Sequence, residues 1–177
     1  MDIDKLIKRC KKQKLDAQSQ LYQLYKDDLF ILCLKYCRNK EEAQDNLQDT
    51  FLEIFQKIKN YKGTGSFEGW MKRITINKAI DKYKGKREIN FEINDNILNG
   101  TEITIENIET IPLEEILTQV QNLPSQYRLV FTMYELDNYS HKEIAGLLNI
   151  SESTSKSNLH RAKKLLQTKI PRPTKAS

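Results

Sequence analysis

The sequence predicts an all-α chain of two small helical modules joined by a flexible acidic linker, the second module a helix-turn-helix. Three observations carry this expectation. Apolar residues recur at three- and four-residue spacing on both sides of residues 88–111, a stretch with no helical period of its own. Charge is distributed unevenly: Met71 to Arg87 holds seven Lys or Arg against Asp81 alone, Ser151 to Ser177 seven against Glu152 alone, and Glu88 to Glu109 six carboxylates with no Lys or Arg. Two basic regions around an acidic connector fit two modules that contact one polyanion. Finally, Tyr139 to Leu166 places two capped helical signals and a short turn in succession, the second helix strongly basic. The modules are therefore drawn as residues 1–87 and 112–170, with 88–111 the linker and 171–177 a basic tail.

In order, Asp4 to Gln13 reads as a short lysine-rich helix with no evident role. From Asp16 to about Cys37 a long helix carries Ala17, Leu21, Leu24, Leu29 and Leu32 near helical spacing. Phe30, Ile31 and Leu34 make its far end apolar all round, so that end is expected to be buried. Asn39 caps a helix over Lys40 to Asn60, with a core stripe of Ala43, Leu47, Phe51, Ile54 and Ile58. A two-glycine loop, Asn60 to Ser66, leads into a helix from Phe67 to Lys84. Beyond the linker, helices are expected from Leu113 to Gln121 and from Pro124 to Leu136, the latter with Val130, Phe131 and Tyr134 near one side.

Ser140 and Glu143 form a capping box that starts a helix near His141, and Asn149, tolerant of left-handed backbone, ends it. Ser151 caps the next helix. Advancing about 100° per residue, Ser155, Leu159, Ala162 and Leu166 share an arc of about 60°, the buried face. Ser153, Lys156, Ser157, His160, Arg161 and Lys164 occupy about 140° on the other side, a face of donors, acceptors and positive charge that suits the DNA major groove.

With 177 residues, a net charge of +5 and no apolar run near transmembrane length, the chain reads as a cytoplasmic protein without direct membrane insertion. No signal peptide is evident, because the basic first twenty residues lack an apolar core. Cys33 and Cys37, one helical turn apart, pose a choice between a metal or redox pair and buried small hydrophobes. Their apolar surroundings favour burial, so no metal or cofactor is expected. No nucleophile, base and orienter constellation is visible, and the loop lacks the Gly-Lys-Ser/Thr ending of a nucleotide-phosphate site. The chain is expected not to be an enzyme.

Two further surfaces stand out in the first module. Asp45, Gln48, Asp49, Leu52 and Gln56 share the outer arc of their helix, which sets an exposed leucine among carboxylates and amides. That is either a protein-docking face or a solvated face with one stray leucine. Around the glycine loop, Tyr61, Gly63, Thr64, Gly65 and Ser66 precede Trp70, Arg73, Asn77 and Lys78. Aromatics, amides and cations in that mixture serve single-stranded nucleic acid; the alternative is core aromatics with a basic solvated side.

DNLQDTFLEIF (Asp45 to Phe55), NYKGTGSFEGWMKRITINKAIDKYK (Asn60 to Lys84) and LPSQYRLVFTMYELDNYSHKEIAGLLNISESTSKSNLHRAKKLL (Leu123 to Leu166) together resemble the extracytoplasmic-function (ECF) sigma factors of bacterial RNA polymerase. The resemblance implies that Asp45, Gln48, Asp49, Leu52 and Gln56 dock on the coiled coil of the polymerase's largest subunit, with the flap as a further polymerase contact. It implies that Tyr61, the Gly63 to Ser66 loop and Asn77 capture the melted downstream promoter element. Lys156, Ser157, His160 and Arg161 would contact the upstream element as duplex. It also implies an anti-sigma partner and a linker that threads the RNA exit path. The departures lie in the second module: Ser155 stands where most relatives have valine, Asn158 and Tyr134 where arginine is common, and Asn149 where glycine is usual. With two cations fewer, upstream binding is expected to be weaker and less salt-dependent. The competing expectations are a helix-turn-helix regulator that works without polymerase and a redox or metal enzyme using Cys33 and Cys37.

Overall fold

The computed structural model describes residues 2–87 and 112–169, so the acidic linker and the basic tail lie outside the described residues. Every regular element among the described residues is helical. The chain divides into two compact units, Met1–Asp81 and Lys82–Ser177.

In the first unit α1 (Ile3–Lys11) starts at Asp2, whose carboxylate accepts the Lys5 N–H. It buries Leu6, Ile7 and Cys10, so the short basic helix is part of the core. α2 (Leu15–Tyr36) packs against α1 and against α3 (Lys40–Lys57). Asn39 caps α3 as expected, its Oδ1 accepting the Glu42 N–H at 2.8 Å. A 3-10 turn, Ile58–Asn60, closes α3, and α4 (Phe67–Arg87) follows the glycine loop. Leu21, Leu29, Phe51, Ile54, Ile58 and Met71 form the centre of the core. Full burial of such a side chain contributes about 1.5–3 kcal/mol.

Two expectations for α2 fail. Leu24 is exposed and Ile31 is 56% exposed, so the far end of the helix is not buried all round. Both fall about 20–40° outside the arc that runs from Ala17 to Cys33, and apolar content without that phase does not bury a residue. Cys10, Cys33 and Cys37 are buried, and none of the three is in a disulfide. Burial pushes the Cys10 thiol up, against the pull of Arg9. Asn46 Nδ2 donates to the Thr75 carbonyl and reaches the Cys33 sulfur, so one buried amide links α3 to both α2 and α4.

In the second unit α5 (Leu113–Gln121) has the predicted bounds. α6 (Ser125–Phe131) follows Pro124, and the chain then widens into a π-helical turn, Thr132–Leu136. The widened turn rotates later residues relative to an α-helical register. Val130 and Phe131 are buried, whereas Tyr134, expected near the same side, is exposed. α7 (His141–Leu148) and α8 (Glu152–Lys169) complete the unit. Val120, Leu129, Met133, Ile144, Leu148 and Leu166 are among its fully buried side chains.

Arg128 is only 4% exposed. Its Nη1 donates to the carbonyls of Gln121 and Leu123, and its Nη2 to Ser125 Oγ. The guanidinium therefore holds the α5–α6 corner by satisfying carbonyls that the end of α5 leaves open.

Candidate nucleic-acid interface

The helix-turn-helix is built as its caps dictate. Ser140 Oγ accepts the Glu143 N–H while the Glu143 carboxylate accepts the Ser140 N–H, completing the box. Those hydrogen bonds hold the Glu143 carboxyl below its usual range. Asn149 ends α7 in left-handed backbone, φ 54° and ψ 50°. Ser151 Oγ then accepts the Thr154 N–H and starts α8.

Ser155, Leu159, Ala162 and Leu166 are buried, as the arc predicted. Asn158 joins them at 3% exposure, so it does not stand on the outer, basic face. Ser155 does not bond back to its own helix through its hydroxyl; Oγ lies 2.8 Å from His141 Nδ1 on α7. On the outer face Ser153, Lys156 and Lys164 are exposed. Ser157 and His160 are half-buried, and Ser157 Oγ donates to the Ser153 carbonyl. Arg161, also half-buried, places Nη1 3.4 Å from the Tyr127 hydroxyl on α6. The face thus mixes exposed cations, Lys156 and Lys164, with Ser157 and Arg161, which are also engaged with the fold.

In the first unit Asp45, Gln48, Leu52 and Gln56 are exposed and Asp49 is half-buried. Leu52, at 56% exposure, lines a groove of about 350 Å³ with Tyr22, Leu47, Gln48, Phe51 and Phe55. The exposed leucine therefore continues into an apolar floor contributed by α2 and α3, which the α3 pattern alone did not signal.

The glycine loop is held from within. Gly63 and Gly65 adopt φ 75° and 84°, backbone that side chains strain to reach. The Tyr61 hydroxyl donates to the Gly65 carbonyl at 2.9 Å, and the Tyr61 ring packs edge-on to Phe67. Trp70 stacks on Phe67 with centroids 5.5 Å apart. Phe67 is buried while Tyr61 and Trp70 are half-buried, so this cluster is both core and surface. Thr64, Ser66, Arg73 and Asn77 are exposed. Lys78 is paired with Glu53 of α3. Burial alone would raise the Glu53 carboxyl, but hydrogen bonds from Lys57 and Lys78 hold it below the usual range. The hydrogen bond to Glu53 raises Lys78 against the opposing effect of burial.

A Sigma-70 region 2 family model matches residues 21–89, and a Sigma-70 region 4 model matches residues 113–166. The chain is 30% identical to the ECF RNA polymerase sigma factor SigM of Bacillus subtilis (strain 168), over 84% of its own length and 91% of SigM. The chain belongs to the ECF sigma factors. SigW of the same organism is 27% identical over 96% of this sigma factor and 97% of SigW. The fold is shared with the sigma factor RpoE of Bartonella quintana, solved in complex with the anti-sigma factor NepR. That comparison has a TM-score of 0.52 at 18% identity and covers 87% of this chain and 98% of that one.

Membership sets aside the helix-turn-helix regulator that works without polymerase, because both sigma regions are present in one chain. Among the described residues of this sigma factor, no helix is long and apolar enough to cross a membrane.

Proposed function

We propose that this sigma factor divides its work among three surfaces. Asp45, Gln48, Asp49, Leu52 and Gln56 dock on the coiled coil of the largest polymerase subunit, with Leu52 as the apolar anchor and the acidic and amide groups as its rim. Residues 1–87 act as region 2 and residues 112–170 as region 4, which also meets the flap. Tyr61, the Gly63 to Ser66 loop, Trp70, Arg73 and Asn77 capture one strand of the melted downstream element. Lys78 serves that site by positioning α4 through Glu53. Extruding a base costs a few kcal/mol of unstacking, and the half-buried aromatics beside an open loop are suited to return it by stacking. Ser153, Lys156, Ser157, His160, Arg161 and Lys164 grip the upstream element as duplex. The polymerase performs the chemistry. An anti-sigma protein restrains the factor in the cytoplasm.

The observation that carries this reading is Leu52, exposed over an apolar groove amid Asp45, Gln48 and Gln56. An exposed leucine continuous with an apolar groove offers a partner more contiguous apolar surface than a lone leucine on a solvated face. Run-off transcription with core polymerase on a promoter library tests it. Transcripts that start at discrete positions only when the factor is present are expected; binding to duplex with no affinity for core polymerase would overturn the reading.

A further inference from the structure

The basic N-terminal helix is seated beside the downstream-element loop. Lys11 Nζ donates to the Tyr61 carbonyl at 2.7 Å and lies 5.8 Å from the Tyr61 ring centroid. Gln13, in left-handed backbone, reaches the Phe55 carbonyl at 3.4 Å, and α1 packs against the Ile58–Asn60 turn that leads into the loop. The C-terminal end of α1 is thus fixed to the segment that carries Tyr61.

The opposite side of α1 is cationic. From Lys5 to Lys14 there are six Lys or Arg and no carboxylate. Lys5, Lys8, Arg9 and Lys12 share an arc of about 100°, facing away from Leu6, Ile7 and Cys10. Lys5 pairs with Asp2 and Arg9 with Asp16. Lys8 and Lys12 are exposed and have no ion-pair partner among the described residues. Lys59 and Lys62, on either side of the Lys11 contact to Tyr61, are exposed as well. Asp2 and Asp16 neutralise two of the four cations of this face, Lys8 and Lys12 keep their charge exposed, and Lys11 ties the same helix end to the segment that carries Tyr61.

We infer that Lys8 and Lys12 of α1, continued by Lys59 and Lys62, bind the phosphodiester backbone of the promoter strand held in the Tyr61 to Ser66 loop. The inference rests on the reading of that loop as the downstream-element site. The lysines contribute position and affinity without base preference, since a phosphate contact carries no sequence information. Lys11 is a positioning residue, its ammonium committed to the Tyr61 carbonyl.

The test uses holoenzyme assembled from core polymerase and the full chain, with a promoter fragment selected by run-off transcription. Binding is titrated across salt concentrations for the wild type and for the double variant Lys8→Gln/Lys12→Gln. The slope of log affinity against log salt is expected to become shallower by about 1.5, at about 0.7–0.9 for each phosphate that is no longer neutralised. Affinity for core polymerase and the melting temperature stay at wild-type values. A Lys26→Gln/Lys40→Gln variant controls for net charge, and an equal change of slope there would overturn the inference. So would a loss confined to core polymerase affinity, which would assign α1 to a protein contact. An unchanged slope for Lys8→Gln/Lys12→Gln, with promoter opening impaired in Asn77→Ala, removes the inference and leaves the loop reading standing. Wild-type behaviour of both variants removes the loop reading as well.

Discussion

His141 Nδ1 and Ser155 Oγ, 2.8 Å apart, join the two helices of the helix-turn-helix through a hydrogen bond at the edge of its core. Tyr134 stacks on the same imidazole, with centroids 4.3 Å apart and planes 19° from parallel. Burial lowers the His141 pKa, reinforced by Lys156 and Lys163 and opposed by Glu152 and Glu135. Because the folded pKa is depressed below the unfolded value, the unfolded chain binds the proton more readily. Stability from this group is therefore complete above the unfolded pKa of about 6.5 and is lost as pH falls through the folded pKa. Thermal unfolding followed from pH 8 to pH 5 will show a steeper loss of Tm in the wild type than in His141→Gln. At pH 7.5 Ser155→Ala costs about 1 kcal/mol, the net value of a hydrogen bond.

Asp45→Lys and Leu52→Asp each reduce affinity for core polymerase at least about tenfold, or about 1.4 kcal/mol, with no change in Tm. Both side chains are exposed, so the substitutions disturb the surface alone. Asp49→Lys is expected to abolish the same binding but is a less discriminating test. Asp49 is half-buried and its charge acts on Lys78, so a lysine there adds repulsion within the fold. A pull-down with core polymerase, paired with thermal melts, separates the two effects.

Lys78→Met lowers the stability of the first unit by about 1 kcal/mol, since the Glu53 carboxylate loses one of its two ammonium partners in a partly screened site. The folded Glu53 pKa is depressed, so its contribution is present above the unfolded pKa of about 4.3 and disappears as pH falls through the folded value. Urea unfolding at pH 7 and at pH 3 will show the difference between wild type and Lys78→Met shrinking at the lower pH.

Arg128→Ala costs about 2–4 kcal/mol, because it removes charge-assisted hydrogen bonds and leaves the Gln121 and Leu123 carbonyls without that donor at a buried corner. Arg128→Lys recovers only part of this, since one ammonium cannot span the carbonyl pair and Ser125 Oγ as the planar fork does. Thermal melts of the three proteins, monitored by circular dichroism, give the order wild type, lysine, alanine.

Local chemistry made much of this architecture legible. The Ser140 and Glu143 box, the Asn149 stop and the Asn39 cap are each short-range signals, and each forms where the sequence placed it. Leu52 was visible because it broke a regular core stripe. What the sequence hid depends on partners distant along the chain or on a change of helical register. Lys78 reads as a free cation until Glu53, 25 positions earlier, is brought beside it. Asn158 sits about 40° outside the predicted buried arc, yet α8 packs against α6 and α7 broadly enough to cover it. Tyr134 left its predicted side because the π-helical turn shifts the register, and Arg128 found carbonyls that only the α5–α6 corner presents.

Asn77→Ala impairs promoter opening more than closed-complex binding, because an exposed amide on α4 beside the loop meets a base edge only after the strands part. A permanganate footprint that gives equal opening rates for wild type and variant would refute this role. Gly65→Ala provides a second, conformational probe of the same loop. No heavy atom lies within 4 Å of the position its methyl would take, so the cost is the strain of φ 84° alone, about 1–2 kcal/mol. The expected outcome is a loop that leaves this conformation and loses the Tyr61 hydroxyl contact to the Gly65 carbonyl. Opening would slow, and the first unit would melt lower only in proportion to that local strain, because Phe67 and Met71 keep their burial. Intact core polymerase binding in both variants would locate the defect in strand capture rather than docking.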